Sequence, residues 1–370
     1  MPHAILCLFI LLGALPAVAQ KGRDWGVERT SYLDPLARTT VAELTGPEEK
    51  PNNLYYHFSN FTADNRFIIF AGQRTGAWQI YRLEVASGRI VQLTEGQGVA
   101  AHGACPHPKA PQILYYLRGP EVLELNIQTL AERRIGEIPP PRAGGYQQPT
   151  LSHDLKSLAV TKQRDERNWE IGLIDLATGA YRAVLTQGFR IGHVQHHPKL
   201  PLIFYVWETG GYAPQRTWLV DADGQANRPF FYETKPAEWK SPLKDWVTHE
   251  AWIPETGDMT LIVDKQAIAV AGADGKLKHW LPGDYWHVAS RPDGKVLVAD
   301  DNPGRLWLIE TATGNRLLIA SGLRSASRAV HAHASFDRAG RYILFNSGRT
   351  RETLALIDLA SIPGAEWVKP

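Results

Sequence analysis

This chain lacks the residues that usually anchor small exported scaffolds. Of its 370 residues only two are cysteines, Cys7 and Cys105. That excludes a disulfide framework and any cysteine-rich metal cluster. Long apolar runs are equally scarce. The clearest, Ala4-Ile5-Leu6-Cys7-Leu8-Phe9-Ile10-Leu11-Leu12, is too short to span a bilayer. It is followed by Ala17-Val18-Ala19, a small-x-small cleavage pattern, so residues 1–19 read as a signal peptide and Gln20 as the mature amino terminus. Cleavage would remove Cys7 and leave Cys105 alone. The expectation is a periplasmic or secreted protein without a membrane span. Charge of one sign is also missing. Lys and Arg number 40 against 38 Asp and Glu, a net +2, and no basic run occurs. Neither a nucleic-acid partner nor an anionic membrane surface is indicated. No His-Glu-x-x-His helix and no Gly-x-Ser-x-Gly elbow is present. Nothing in the sequence specifies an oligomeric state.

What the chain does have is a repeat. Short apolar strands recur at Phe67-Ile68-Ile69-Phe70, Ile113-Leu114-Tyr115-Tyr116, Leu158-Ala159-Val160, Leu202-Ile203-Phe204-Tyr205, Met259-Thr260-Leu261-Ile262-Val263, Val296-Leu297-Val298 and Tyr342-Ile343-Leu344-Phe345. After many of them an alternating strand runs into an acidic residue and a Gly turn, as in Ile174-Asp175-Leu176-Ala177-Thr178-Gly179 and Leu308-Ile309-Glu310-Thr311-Ala312-Thr313-Gly314. That is a hairpin signature. Units of about 35–50 residues with four short strands are propeller blades. One blade cannot cover both faces of its own sheet, so the blades must stack and the ring must close. The seventh unit ends near Leu359 with little room for a last strand. Thr40-Val41-Ala42-Glu43-Leu44-Thr45 resembles the outer strands Val91-Gln92-Leu93-Thr94 and Ala183-Val184-Leu185-Thr186, and so is expected to complete the last blade. The fold read from the sequence is all-β: a single seven-bladed β-propeller over residues 20–370, with four-stranded antiparallel blades and a ring closed by an N-terminal strand. A β-sandwich or two smaller β domains is the competing arrangement.

Propellers bind ligands at the mouth of the central channel. The polar residues grouped near such positions are His57, His102, His193, Arg216, His249-Glu250, Asp284 to His287, and Arg328 to His333. Pro106-His107-Pro108-Lys109 and His196-His197-Pro198-Lys199 are one turn in two blades, so His107 and His197 are expected to serve the turn. His331-Ala332-His333 is different. Strand alternation would put both imidazoles on one side, with small neighbours between and beside them. Together with His287, in a matching place one blade earlier, they could make a three-imidazole site with open positions. A purely structural use of the pair is the alternative. The unit His249-Glu250 suits a general base oriented by a carboxylate, or else a hydrogen-bonded pair fixing a blade. Tyr55, Tyr56, Trp252, Tyr285 and Trp286 could stack on sugar faces or pack between blades.

The stretches Phe61-Thr62-Ala63-Asp64 to Phe70-Ala71-Gly72, Arg216-Thr217-Trp218-Leu219, Thr248-His249-Glu250-Ala251-Trp252, Trp286-His287 to Ser290, and Val330-His331-Ala332-His333-Ala334-Ser335-Phe336 resemble the oligogalacturonate lyase family. The resemblance runs from about residue 39 to residue 362. It implies a seven-bladed propeller that cleaves pectin fragments by β-elimination. It also implies His287, His331 and His333 as metal ligands, with Mn2+ the ion, His249 as the general base and Arg216 as a catalytic or substrate-binding arginine. His57, Trp286 and Arg328 join Arg216 as candidates for holding an acidic oligosaccharide. One departure stands out. The family has a glutamine ligand three residues before the first His of the pair, and here that residue is Arg328. A guanidinium cannot ligate a metal, but it can clamp a carboxylate. Two other functions stay open: a non-catalytic exported binding or scaffold module, and a propeller lyase for another uronide such as ulvan.

Overall fold

The seven apolar segments form the second strands of seven antiparallel sheets. A computed structural model describes residues 20–46, 51–140, 147–231, 246–323 and 330–362. The expected signal peptide and Arg328 lie outside these residues. Second strands such as Phe67–Gly72 and Met259–Val263 are buried along their whole length, because each is covered on both faces by neighbouring blades. Outer strands such as Tyr181–Gln187 have largely exposed or half-buried residues. The turn that begins at Asp175 shows how the hairpin signature works. Its carboxylate accepts the backbone N–H of Ala177 and of Thr178 at 3.1 and 2.7 Å. Gly179 then takes φ +74°, and a Cβ there would sit 2.1 Å from the Ile135 carbonyl oxygen of the neighbouring blade.

Among the described residues, six sheets have four strands and one has five. Blades two to seven begin with the inner strands Val99–Pro106, Gln147–Leu151, Ile191–His196, Val247–Trp252, His287–Ser290 and Ser335–Phe336. Among the described residues, blade one has no regular inner strand. Residues 52–61 take that place, with backbone bridges Asn52↔Ala71 and Phe61↔Ile68 and with Leu54, Phe58 and Phe61 packed against the sheet. The outermost strand of blade one is Asp24–Val27, which pairs with Arg89–Gln92. The segment Val91–Thr94 is therefore not outermost, since the chain before blade one supplies one more strand.

The ring closes as the sequence indicates. Thr40–Glu43 pairs with Thr353–Asp358 of blade seven, and Thr30–Leu33 adds a fifth strand beyond it. Ala42 and Leu44 of the closing segment pack with Ile68 and Phe70 of blade one and with Leu344, Leu354 and Leu356 of blade seven. Thr45 and Thr353 add a buried hydroxyl pair at 3.1 Å. Asp34, fully buried, ties the closing hairpin to blade six. It accepts from the Ser321 N–H at 2.8 Å and from the Ser321 hydroxyl at 2.9 Å, and from the N–H groups of Leu36 and Ala37.

Removing a buried, charged acceptor leaves several donors unmet, at roughly 1–3 kcal/mol for each group left so. Asp34→Ala is expected to lower unfolding stability by about 3 kcal/mol, read as a shift of the urea midpoint. An unchanged midpoint would mean that the hairpin contributes nothing to ring closure.

Candidate functional site

Inner strands in a propeller run side by side down the channel, and in this chain several are interrupted where a histidine meets it. The register of Ile191–His196 slips between Gly192 and Gln195, and that of Val247–Trp252 slips between Thr248 and Ala251. Inside these two bulges His193 and His249 take φ +47° and +54°. His333 takes φ +42° just before the inner strand of blade seven. A left-handed residue within a bulge redirects its side chain. The same local device thus turns three imidazoles from three blades toward one another.

His331 and His333 do not lie in a strand, contrary to the alternation argument. Side-chain and backbone hydrogen bonds hold the segment instead: Asn53 Nδ2 donates to the His333 carbonyl at 2.6 Å, Asn346 Nδ2 to the His331 carbonyl at 3.1 Å, and the Asn346 N–H to the Ala332 carbonyl at 2.8 Å. The imidazoles still share one pocket, because the positive φ at His333 does what pleating was expected to do. One ring nitrogen from each of His287, His331 and His333 lies within 4.8 Å of the others. Nδ1 of His331 and Nε2 of His287 are 3.2 Å apart. Neither nitrogen of His333 has a partner among the described residues.

His287 is fixed by Asp300, whose Oδ1 accepts both its backbone N–H at 2.8 Å and its Nδ1–H at 2.9 Å. That leaves the Nε2 lone pair facing the pocket, the arrangement in which a second-layer carboxylate orients a metal-binding imidazole. Burial pushes the Asp300 carboxyl up to about 7, so its oxygens are more basic than those of an ordinary carboxylate. Burial, and then the neighbouring imidazoles, hold His287 and His333 well below the usual imidazole range, and burial also lowers His331. Three neutral nitrogen donors that converge and have no anion among them fit a divalent transition ion.

His249 lies beside this group, its ring centroid 4.1 Å from that of His287. Burial, then His287 and His193, keep it neutral, and its Nδ1 has no partner. Glu250 does not orient it. The fully buried Glu250 carboxylate instead accepts from His193 Nδ1 at 2.7 Å and from Arg216 Nε at 3.0 Å. Burial alone would raise Glu250, but the Arg216 guanidinium and then His193 hold it far below the usual carboxylate range. Successive strand residues point to opposite sides, and the bulge at His249 separates the two side chains further. Arg216 is 4% exposed and is engaged by protein groups: Glu250, the Trp207 carbonyl at 3.1 Å, and Glu208 and Thr248 at 3.4 Å. Trp286 is half-buried, its ring 6.1 Å from that of His331, with the Lys265 ammonium 4.2 Å above its other side. His57 is not at this mouth. It lines cavities at the opposite end of the channel.

Between the two ends stand Tyr55 and Tyr56. Their rings lie within 6.2 Å of His102, His193, His249, His287 and His333, from blades two, four, five, six and seven. The Tyr56 hydroxyl is 3.4 Å from His193 Nδ1. The positions of His193, Glu208, Asp300, Asn53 and Asn346 carry roles that the sequence reading did not assign. Of these, His193 was grouped with the channel-mouth residues but given no role, and Asp300 left a trace as an acid ending an otherwise apolar buried strand. The two turn histidines behave alike: Nδ1 of His107 accepts from Lys109 and Ala110, and Nδ1 of His197 from Lys199 and Leu200, all at 2.9–3.0 Å.

Several known proteins are similar to this chain over most of its length. A family model described as oligogalacturonate lyase matches residues 19–170. The oligogalacturonate lyase of Dickeya dadantii and the oligogalacturonide lyase of Pectobacterium atrosepticum are each 22% identical, over 94% of this chain and 99% of their own. A solved oligogalacturonate lyase in complex with manganese superposes with a TM-score of 0.80 at 21% identity, covering 94% of this chain and 100% of its own. Another, from Vibrio parahaemolyticus, gives 0.76 at 20% identity, covering 91% and 98%. The resemblance first carried by short motifs therefore extends along nearly the whole chain.

Two outcomes follow. Replacing a carboxylate that orients a metal-binding imidazole typically lowers affinity ~10–100-fold. Asp300→Asn is therefore expected to weaken the binding of a divalent transition ion by that factor in calorimetric titration, with no change expected if His287 is not a ligand. The second concerns acid. Buried imidazoles such as His196, lowered to about 4 by burial and then by His153, take up their proton only in the unfolded chain between the ordinary imidazole range and pH 4. The unfolded state binds more protons there, so stability falls as pH drops through ~6.5 and the loss is complete near pH 4, about 3 kcal/mol for His196 alone. Urea midpoints at pH 7.5, 6 and 5 should fall in that order, less steeply in His196→Phe.

Proposed function

We propose that this relative of the oligogalacturonate lyases cleaves uronate-containing oligosaccharides, oligogalacturonides first, by β-elimination. The observation that carries the reading is a buried neutral imidazole, His249, beside three converging imidazoles at one channel mouth. Elimination across C4–C5 of a uronate requires removal of a weakly acidic C5 proton, stabilisation of the charge that develops on the carboxylate, and breakage of the C4–O bond, whose oxygen leaves with the neighbouring sugar and takes up a proton from water as the new reducing end. In this assignment His287, His331 and His333 hold a divalent cation, Mn2+ by analogy with the solved relative. Such an ion, when bound, would polarise the uronate carboxylate.

The chain's own residues do the rest. His249 accepts the C5 proton, because its environment keeps the imidazole neutral at pH 7. Arg216 acts through Glu250: it holds the carboxylate that anchors His193 on the other side of the mouth. Trp286 offers a half-buried ring beside the cation site for a sugar face. Arg328, in the glutamine position of the relatives, is assigned to the substrate carboxylate. The leader expected over residues 1–19 would deliver the enzyme to the periplasm or beyond it.

Digestion of trigalacturonate should produce the near-ultraviolet absorbance of an unsaturated uronate and should stop with chelator. His249→Ala is expected to lower kcat ~10²–10⁴-fold while leaving Mn2+ affinity unchanged. Full activity in that variant would remove His249 as the base. No absorbance from any acidic oligosaccharide, with Mn2+ present, would favour a binding module instead.

A further inference from the structure

The opposite end of the channel holds a second group of polar side chains that the lyase reading does not use. Two adjoining cavities of about 330 and 350 Å3 lie where the inner strands end, and both are lined by Arg338, His57, Trp252 and Ser59. They fall at the small end of the range for small-molecule pockets, ~300–1,000 Å3. Arg338 arises from the turn of blade seven and reaches across the ring closure. Its Nε donates to the Phe61 carbonyl at 3.1 Å and its Nη2 to the Pro106 carbonyl at 3.4 Å. No carboxylate pairs with it among the described residues. A guanidinium has five N–H donors in a planar fork, so these two carbonyls leave most of the fork facing the cavity.

Around this cation lie buried groups without partners. Neither ring nitrogen of His57 or of His196 makes a hydrogen bond, and Trp252 Nε1 also lacks an acceptor. Buried polar atoms are nearly always satisfied, and a cluster of exceptions around a cavity needs an explanation such as an absent ligand. Two acids border the space, and neither neutralises the arginine. Glu255 is exposed at the rim, and Asp337 is committed to the N–H groups of Arg341 and Tyr342 at 2.6 and 2.8 Å. Phe58 and Phe336 supply apolar walls.

We propose that this end of the channel is a second binding site, for a small hydroxylated carboxylate of the uronic acid class. Arg338 takes the carboxylate through its free N–H groups. His57, His196 and Trp252 Nε1 meet hydroxyl groups, since a neutral imidazole both donates and accepts. The aromatic walls cover a ring face. The site stands on its own geometry and does not require activity at the other mouth.

Calorimetric titration of the full chain, in chelator, with galacturonate, glucose and inorganic phosphate tests the assignment. Galacturonate should bind the unaltered protein, and equally well the His331→Ala variant. Arg338→Gln should weaken it at least tenfold. Trp252→Phe, which removes the indole N–H while keeping an aromatic ring, should weaken it a few-fold, and it decides the matter if loss of the Arg338 bridge prevents folding. Absence of binding, binding lost in His331→Ala, or binding unchanged in both Arg338→Gln and Trp252→Phe would overturn the site. Equal binding of glucose would overturn the role of the carboxylate, and tighter binding of phosphate would overturn the sugar class.

Discussion

The pairing of Thr40–Glu43 with Thr353–Asp358 is the contact on which the rest of the molecule depends. A propeller blade has two apolar faces and no interior of its own, so its stability comes from its neighbours. Without closure, blade seven would expose Leu344, Leu354 and Leu356, and blade one Ile68 and Phe70. The same closure brings His331 and His333 of blade seven next to the Asn52–Phe61 segment of blade one. Asn53 then supplies the hydrogen bond that fixes the His333 backbone. The pocket geometry is therefore set by a contact between residues some 280 positions apart in sequence.

Desolvation does the second part of the work. The channel gathers imidazoles from six blades in a space where a protonated ring finds little water, and burial is the largest influence on His57, His102, His249, His287 and His333. These five rings are held in their neutral form, with a lone pair available. The charged arrangement beside them sets one guanidinium, Arg216, against two carboxylates, Glu250 and Glu208, and His193 bonds to the first of these. Neutral nitrogen donors and an ion network thus sit side by side, joined through His193.

The fold was largely legible in the sequence because its signals are local. Second strands are buried on both faces and read as unbroken apolar runs, and hairpin turns are marked by an acid and a glycine. The inner strands were less legible, since three key histidines sit where the pleat is interrupted. Alternation placed His331 and His333 together for a reason the backbone does not follow, since a left-handed residue leaves no mark in the sequence when it is histidine rather than glycine. Glu250 turns to His193 and Arg216 instead of the adjacent His249, a choice set by the neighbouring blade and not by sequence order. Asp300 and Asn53 were missed because second-layer partners are defined by space, not by spacing.

Blade one's missing inner strand has a consequence for traffic. Where a regular strand would line the bore, Tyr55 and Tyr56 cross it and touch rings from five other blades. The molecule has a hole by topology but not by passage. A polymer cannot be threaded through it as through a pore, and a bound chain must leave by the mouth through which it entered. Such a ring presents two shallow cups set back to back rather than a sleeve open from end to end.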